Sequence, residues 1–197
     1  GNNGPEKFFY SIIKLQKENT LLVSGYNGIF KFNINTKKWT PINDNSKYTT
    51  INTIVGRYMI ELPNNHLLIC TEGLGLIDYN YQKGIFSTIS TVNSVSNNIR
   101  HAQLYNNQIL LATDNGLIIY DYSKNKIISI FNKHNLLTDD VVYAVMPGVN
   151  NSVWISTNTG LAKINLQLNT CKYYDVSYGL QSMEFNTACC FAATNGI

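Results

Sequence analysis

The chain has 197 residues, with 15 basic and 12 acidic side chains and a formal net charge of only +3. So small a basic excess argues against nucleic-acid binding, which takes a clustered basic surface. Charged residues make up 14% of the chain, and this low share excludes a disordered chain and a coiled coil, both of which are rich in charge. The longest apolar runs, such as residues 141–146, are far shorter than a membrane span. Residues 1–5 lack the basic and apolar regions of a signal peptide, so a leader is either absent or already removed.

One short motif recurs four times along the chain. Its copies are Leu21–Ile29, Leu68–Leu76, Leu110–Leu117 and Val153–Leu161. Their last glycines, Gly28, Gly75, Gly116 and Gly160, lie 47, 41 and 44 residues apart. A nearly constant period in this range indicates a repeat architecture, in which each repeat is one supersecondary unit.

Each repeat predicts four short strands. The first strand is assigned to residues 12–15, 58–62, 100–104 and 142–146 in the successive repeats. Polar turns follow these strands, and the Asn-Asn pairs at 64–65, 106–107 and 150–151 are expected to close hairpins because Asn tolerates a positive φ. The second strand lies in the motif itself, and the third is assigned to residues 29–33, 76–79, 117–121 and 161–165. A turn rich in Lys and Asn leads into the fourth strand, and helical periodicity is sustained nowhere.

This pattern predicts an all-β protein made of β-propeller blades, each with four antiparallel strands. Apolar residues lie on both faces of the strands, as expected for a sheet packed between two neighbours. A period near 44 residues with four strands per repeat fits a propeller better than a solenoid or an immunoglobulin-like sandwich. The units are assigned to residues 8–45, 46–93, 94–137 and 138–182, with a partial fifth at 183–197. The chain is therefore expected to be a fragment of a seven-bladed propeller.

No catalytic, metal or cofactor motif is predicted. The cysteines have no regular spacing and are expected to be single buried thiols; they are Cys70, Cys171, Cys189 and Cys190. His66 and His134 fall on different turns, so they do not predict a metal site. Asp139 and Asp140 precede a strand and are interpreted as turn residues.

Three segments of the chain resemble the two-component regulator propeller repeat: Leu137–Tyr143, Val153–Leu161 and Tyr178–Asn186, the last with the string Gly-Leu-Gln-Ser-Met-Glu-Phe-Asn. The resemblance extends from about Phe8 to Ile197. In that family two seven-bladed propellers precede an immunoglobulin-like domain, a membrane helix and a histidine kinase. This chain departs from the family pattern because only four full units are present. It also departs because Phe191–Gly196 follows the Glu-Phe-Asn string almost at once, where the family has a longer hairpin.

The resemblance implies the periplasmic sensor region of a Bacteroides-type hybrid two-component histidine kinase. The implied role is detection of an oligosaccharide and control of glycan-utilisation genes, with no enzymatic activity in this fragment. Its implied partners are the ligand, the remaining propeller blades, the rest of the sensor chain and a second protomer of a homodimer, and it meets the membrane only through the parent chain. Two alternatives stay open, a glycan hydrolase or lyase and a protein-interaction scaffold.

Strand direction predicts where a ligand would bind. In an antiparallel blade, the loops between units and the turns between second and third strands share one face, and a face or central mouth is a common ligand site. The ligand-binding candidates expected there are Tyr26, Tyr48, Arg57, Glu72, Arg100, His101, Asp114 and Asn158.

Within this set, Tyr26 and Tyr48 are candidates for stacking on a ligand. Arg57, Arg100 and His101 could form a fork for a carboxylate or a sulfate, or the arginines could form structural ion pairs. Counted from Leu62 and Leu104, the two arginines are one position out of register, which predicts that they point to opposite faces. Trp154 replaces Leu22, Ile69 and Leu111 of the other repeats and is expected in the core.

Overall fold

The computed structural model describes residues 8–15, 18–26, 28–42, 54–187 and 189–191. Sixteen strands form four separate four-stranded antiparallel sheets in this part of the chain, which confirms the predicted all-β propeller class. One helical turn, α1 (Ser90–Asn93), was not expected from the sequence. The chain divides into two compact units, unit 1 (Gly1–Asn98) and unit 2 (Ile99–Ile197). The candidate Tyr48 lies outside the described residues.

Unit 1 holds sheets 1 and 2. The strands of sheet 1 are β1 (Phe9–Lys14), β2 (Thr20–Gly25), β3 (Gly28–Asn33) and β4 (Lys38–Pro41). Those of sheet 2 are β5 (Gly56–Leu62), β6 (His66–Thr71), β7 (Leu76–Asn80) and β8 (Ile85–Thr88). Both sheets follow chain order, so each strand pairs with its neighbours in sequence.

Unit 2 holds sheets 3 and 4 with the same topology. The strands of sheet 3 are β9 (Ile99–Tyr105), β10 (Gln108–Thr113), β11 (Gly116–Asp121) and β12 (Lys126–Phe131). Those of sheet 4 are β13 (Val142–Pro147), β14 (Ser152–Thr157), β15 (Gly160–Asn165) and β16 (Thr170–Tyr174). The first strands begin up to three residues earlier than predicted, because Phe9, Gly56 and Ile99 pair with the last residue of the second strand on the far side of a bulge that interrupts the alternation.

The Asn-Asn turns close the first hairpins as predicted. Positive φ values are found at all six positions: Asn64, Asn65, Asn106, Asn107, Asn150 and Asn151. These angles lie in the left-handed region, which Asn enters more easily than most residues because its short side chain bonds locally. The turns therefore explain part of the high Asn content of the chain.

A threonine closes the second hairpin in three sheets. The hydroxyls of Thr71, Thr113 and Thr157, each at the end of a second strand, donate to the carbonyls of Gly75, Gly116 and Gly160 at 2.6, 2.8 and 3.2 Å. Sheet 1 has Gly25 at this position. Each of these hydroxyls is buried, so the bond satisfies a polar group that would otherwise be costly.

The core of each unit lies between its two sheets. In unit 1, Leu22 and Ile29 of sheet 1 cluster with Ile69 and Tyr79 of sheet 2. In unit 2, residues of β10 and β11 cluster with residues of β13, β14 and β15, and all of the buried members are 7% exposed or less. One face of each sheet is therefore fixed by packing, which sets the position of the turns at its edges.

Candidate functional site

Every first strand carries a one-residue β-bulge at its second residue. The pairing register of each sheet skips that residue, which is Tyr10, Arg57, Arg100 or Tyr143. A bulge leaves its residue out of the ladder and re-aims its side chain. The four bulge residues are structurally equivalent, and three of them contact the residue that follows the second strand of the same sheet.

Four predicted candidates share the position after the second strand. These residues are Tyr26, Glu72, Asp114 and Asn158, each following the residue that pairs with the start of the first strand. The expectation that they lie at the same edge of their sheets therefore agrees with the register. Their role in binding stays a prediction.

In unit 1, Arg57 joins Glu72 and Tyr10; we call these three residues the unit 1 cluster. The Arg57 guanidinium forms an ion pair with the Glu72 carboxylate, whose side chain is 50% exposed. The guanidinium carbon also lies 4.4 Å from the centre of the Tyr10 ring, within cation–π range. Tyr26 is 62% exposed, and its backbone N–H donates to the Phe8 carbonyl. The cluster thus presents a carboxylate, a guanidinium and an aromatic ring together.

In unit 2, the equivalent group is larger; we call Arg100, Asp114, Tyr143, Asn158 and Thr187 the unit 2 cluster. Arg100 Nε donates to Asp114 Oδ1 at 2.6 Å, and its Nη1 donates to Thr187 Oγ1 at 3.3 Å. The guanidinium carbon lies 4.9 Å from the centre of the Tyr143 ring. The Tyr143 hydroxyl in turn donates to Asn158 Oδ1 at 2.7 Å. Polar groups from both sheets of the unit are therefore connected in one network.

Arg57 and Arg100 occupy equivalent positions, so the prediction that they point to opposite faces is wrong. Leu62 pairs with His66 at the end of its hairpin, whereas Leu104 pairs with Ile109 and is followed by a further pair. Leu62 and Leu104 are therefore not equivalent, while Arg57 and Arg100 both occupy the bulge. The alternative of structural ion pairs is the one observed, since each arginine binds a carboxylate of its own sheet.

His101 does not share the exposure of Arg100. It is 1% exposed, and its Nδ1 accepts a hydrogen bond from the Val145 N–H at 3.3 Å. Its Nε2 lies 3.5 Å from Cys190 Sγ. Burial lowers the pKa of His101 to about 4, because the charged imidazolium would lose its hydration. The expectation that His101 helps to grip an anion at the surface is therefore corrected, since the ring is buried and neutral at pH 7.

The electrostatics of both clusters follow from these pairs. Each guanidinium is offset by one carboxylate, so neither cluster carries an unbalanced positive charge from its arginine. An anionic ligand would have to compete with Glu72 or Asp114 for the arginine. The remaining carboxylate and amide oxygens accept hydrogen bonds, and the tyrosine rings offer faces for apolar contact. Such a mixture suits a neutral, hydroxyl-rich ligand better than an acidic one.

Several other residues were singled out by the sequence. Asp139 and Asp140 accept hydrogen bonds from the backbone N–H groups of Val141 and Lys133, so they act as loop residues. His66 Nδ1 lies 2.7 Å from Asp78 Oδ1. Within the described ranges, no group of three or more His, Cys, Asp or Glu side chains is placed to hold a metal ion.

The expectation of buried thiols holds only in part. Cys70 is buried, and burial raises the pKa of its thiol, so the thiolate is disfavoured. Cys171 and Cys190 are half-buried and Cys189 is exposed.

Trp154 also departs from the prediction because it is only half-buried. The pairing register makes it the equivalent of Leu22, Leu68 and Leu110 in the other sheets. Its ring centre lies 5.1 Å from that of Tyr174.

No protein-family model and no curated protein sequence matches this chain. Solved structures resemble it closely in fold. The extracellular domain of the protein assigned as hybrid two-component system BT3049 of Bacteroides thetaiotaomicron superposes with a TM-score of 0.78 and 17% identity over 96% of this chain and 26% of its own. The equivalent domain of BT4673 from the same organism superposes with a TM-score of 0.75 and a sequence identity of 18%. The match covers 98% of this chain and 28% of that domain. An ancestral GH74 enzyme superposes with a TM-score of 0.63 and a sequence identity of 16%. The match covers 88% of this chain and 25% of the enzyme.

These likenesses concern the fold. The chain spans about a quarter of the length of the two extracellular domains. Within the described part of the chain, no helix is both long and apolar enough to cross a membrane. The family resemblance noted in the sequence is confirmed at the level of architecture, because domains of hybrid two-component systems share this fold at 17–19% identity. The chain therefore has the propeller-blade architecture of these extracellular domains.

Proposed function

We propose that the chain is the extracytoplasmic ligand-sensing part of a hybrid two-component histidine kinase and that its ligand is an oligosaccharide. The observation that carries the proposal is the likeness of 96–98% of the chain to extracellular domains of two such systems. The low charge and the absence of an acid–base motif in the sequence point the same way. In this proposal the domain lies in the periplasm, and the kinase lies elsewhere in the parent chain.

The chemistry of the two clusters supports a sugar as ligand. Sugar hydroxyls both donate and accept hydrogen bonds, so they can bind carboxylate or amide oxygens and guanidinium N–H groups together. The apolar face of a sugar ring can cover a tyrosine ring. Because each arginine is already paired with a carboxylate, an uncharged glycan needs no ion pair to be broken. Binding would then favour one arrangement of a homodimer over another and alter kinase activity as a population shift.

A thermal-shift screen tests the ligand class. The purified chain is heated with neutral and with acidic oligosaccharides, because a ligand that binds only the folded state raises the melting temperature. We expect at least one neutral glycan to raise it. If no oligosaccharide shifts either this chain or the longer extracellular region of its gene product, the sensing proposal in its glycan form fails.

Two variants test whether the unit 2 cluster is the site. Asn158→Ala removes the amide oxygen that accepts from Tyr143, and it should weaken binding of any glycan found in the screen by about tenfold, as expected for the loss of a hydrogen bond or two. Gln167→Ala is the matched control, since Gln167 is an exposed amide on the turn between the third and fourth strands. Equal affinity of both variants would remove Asn158 from the site.

The likeness to a GH74 enzyme favours one alternative, a glycan-degrading enzyme. Glycoside hydrolysis generally takes two carboxylic groups at a defined separation, one acting as acid and one as base or nucleophile. In each cluster the single carboxylate forms an ion pair with an arginine, so it is already engaged by another side chain. We expect no release of reducing ends from the glycans of the screen, and sustained turnover by the purified chain would replace the sensing proposal.

A further inference from the structure

Cys189 and Cys190 are the one pair of adjacent cysteines in the chain. Both thiols are free, and Cys189 is exposed whereas Cys190 is half-buried. The pKa of the Cys190 thiol is raised, first by burial and second by the charge of Cys189. The second effect requires the two sulfur atoms to be near each other. The pair therefore combines a thiol that meets the solvent with a second thiol next to it.

The Cys190 sulfur lies against a buried imidazole. His101 Nε2 is 3.5 Å from Cys190 Sγ, and His101 is 1% exposed. Because Nδ1 of this ring accepts from the Val145 N–H, the proton of the neutral imidazole is on Nε2. The ring therefore directs an N–H donor at the sulfur. A hydrogen bond of this kind favours the thiolate over the thiol.

The segment that carries the pair makes a second contact with the same strand. Arg100, next to His101 in β9, donates from its Nη1 to Thr187 Oγ1 at 3.3 Å. Thr187 belongs to the unit 2 cluster and precedes the pair by two residues. The segment is thus attached to β9 at two places, through a thiol and through a hydroxyl.

We propose that Cys189 and Cys190 are a redox site at which an external disulfide closes a bond between the two sulfur atoms, and that closure releases Thr187 from Arg100. This goes beyond ligand sensing, and its chemistry does not depend on that proposal. Only the natural oxidant does, because in the periplasmic location proposed above it would be a disulfide-bonded protein.

The reaction has two steps. The accessible Cys189 thiolate attacks one sulfur of the external disulfide, so that a mixed disulfide forms and the other sulfur leaves as a thiolate. Cys190 then loses its proton to solvent while the His101 Nε2–H stabilises its thiolate, which attacks Cys189 Sγ and releases the second sulfur. In all, the two cysteines lose two protons and two electrons, and the external disulfide becomes two thiols.

Closure requires the backbone to rearrange. The Cα atoms of adjacent residues lie about 3.8 Å apart, whereas those of a disulfide are usually about 4.4–6.8 Å apart. A bond between neighbours is therefore strained and easily reduced, which suits a reversible site. The rearrangement acts on the segment that His101 and Arg100 hold, so we expect the contact between Thr187 and Arg100 to break.

A metal ion fits this site less well. Two thiols and an imidazole are ligands of soft metal ions in general. His101 Nε2 carries the ring proton, however, so it has no lone pair to give to a metal ion. In the part of the chain that the structure describes, no group of three or more His, Cys, Asp or Glu side chains is placed to bind one.

Tryptic peptide mapping tests the bond. Trypsin cleaves after lysine and arginine, so residues 173–197 leave as one peptide that contains Cys189 and Cys190 and neither of the other cysteines. After the folded chain is treated with oxidised glutathione, we expect this peptide to lose the mass of two hydrogen atoms and to regain it with dithiothreitol. A persistent glutathione adduct, a link to a peptide with Cys70 or Cys171, a disulfide-linked dimer or an unchanged peptide would each overturn the proposal.

Single cysteine variants separate the two steps. Cys190→Ser removes the second thiol, so a glutathione adduct on Cys189 should accumulate to a level that the unchanged chain does not reach. Cys189→Ser removes the accessible thiol and should slow the reaction of Cys190 severalfold. Cys171→Ser is the matched control, since Cys171 is also half-buried, and it should close the bond at the original rate. Absence of the adduct in Cys190→Ser would contradict the assigned order of attack.

The side-chain Nε–H signals of the arginines in NMR spectra test the link to the unit 2 cluster. The chain has two arginines, so Arg57 is an internal control in the same spectrum. Oxidation should shift the Arg100 signal, because its guanidinium loses Thr187, and should leave the Arg57 signal in place. Thr187→Ala in the reduced chain should shift the Arg100 signal in the same direction. An unchanged Arg100 signal in the oxidised chain would refute the proposed release of Thr187.

Discussion

Gly56→Ala is expected to destabilise unit 1 through a steric conflict with Ser24. The φ of Gly56 is not positive, so an alanine is conformationally allowed there. Its Cβ would nevertheless lie 2.8 Å from Ser24 Cβ, 3.2 Å from Ser24 Oγ and 3.6 Å from Ile69 Cγ2. No rotamer change can move Ser24 Cβ, which is fixed to the ladder of β2. The two strands must therefore separate.

The magnitude has two parts. Overpacking a buried contact costs about 1–3 kcal/mol, and separating the strands weakens the Ser24–Gly56 hydrogen bond, worth about 1 kcal/mol. We expect a total loss of about 2–4 kcal/mol in the free energy of unfolding. Urea unfolding followed by circular dichroism measures this loss.

A second substitution identifies the cause. Ser24→Gly removes the Cβ that the new alanine meets, so the double variant Ser24→Gly/Gly56→Ala should be more stable than the sum of the single losses predicts. A double-mutant cycle gives this coupling energy directly. An unchanged stability of Gly56→Ala, or additive losses in the cycle, would refute the proposed contact between Cβ atoms.

Three further outcomes are expected. Because the folded pKa of His101 is lowered to about 4, the unfolded state alone takes up the proton as the pH falls below about 6.5. The contribution of His101 to the free energy of unfolding should be fully present above that pH and should fall by about 3 kcal/mol by pH 4. Urea unfolding across this pH range should show a smaller loss of stability for His101→Gln than for the unchanged chain. Leu110 is 0% exposed, so Leu110→Ala should lower the free energy of unfolding by about 2–5 kcal/mol. Ile128 is 44% exposed, and Ile128→Ala should lower it far less in the same assay. Asn107 has a φ of 61°, so Asn107→Ala should lower the melting temperature and Asn107→Gly should preserve it.

The architecture could be predicted from the sequence because the repeat and the turn chemistry agree. The spacing of the glycines set the number of sheets, and the Asn-Asn pairs marked the first turns. Strand ends were less accurate, since β1 begins at Phe9 and β5 at Gly56, each followed by a bulge residue that breaks the alternation of the strand. Pairing continues there because backbone hydrogen bonds do not require apolar side chains.

The candidate positions were only partly predictable. Strand direction correctly placed Glu72, Asp114 and Asn158 at equivalent turns, because that argument needs only the order of the strands. It could not show that Arg57 and Arg100 occupy equivalent bulges, since a bulge adds one residue to one strand without changing the repeat. The burial of His101 was missed for a related reason: the bulge at Arg100 changes which side of β9 the next residue occupies.

The strand order has a consequence for how the chain folds. In all four sheets, every strand pairs with a strand next to it in the chain. Most pairings therefore close short loops, which is the condition for low contact order and rapid formation. A ribosome releases the repeats one after another, so we expect each sheet to form before the next one is complete. Truncation after a whole sheet should then leave the earlier sheets more protease-resistant than truncation within one.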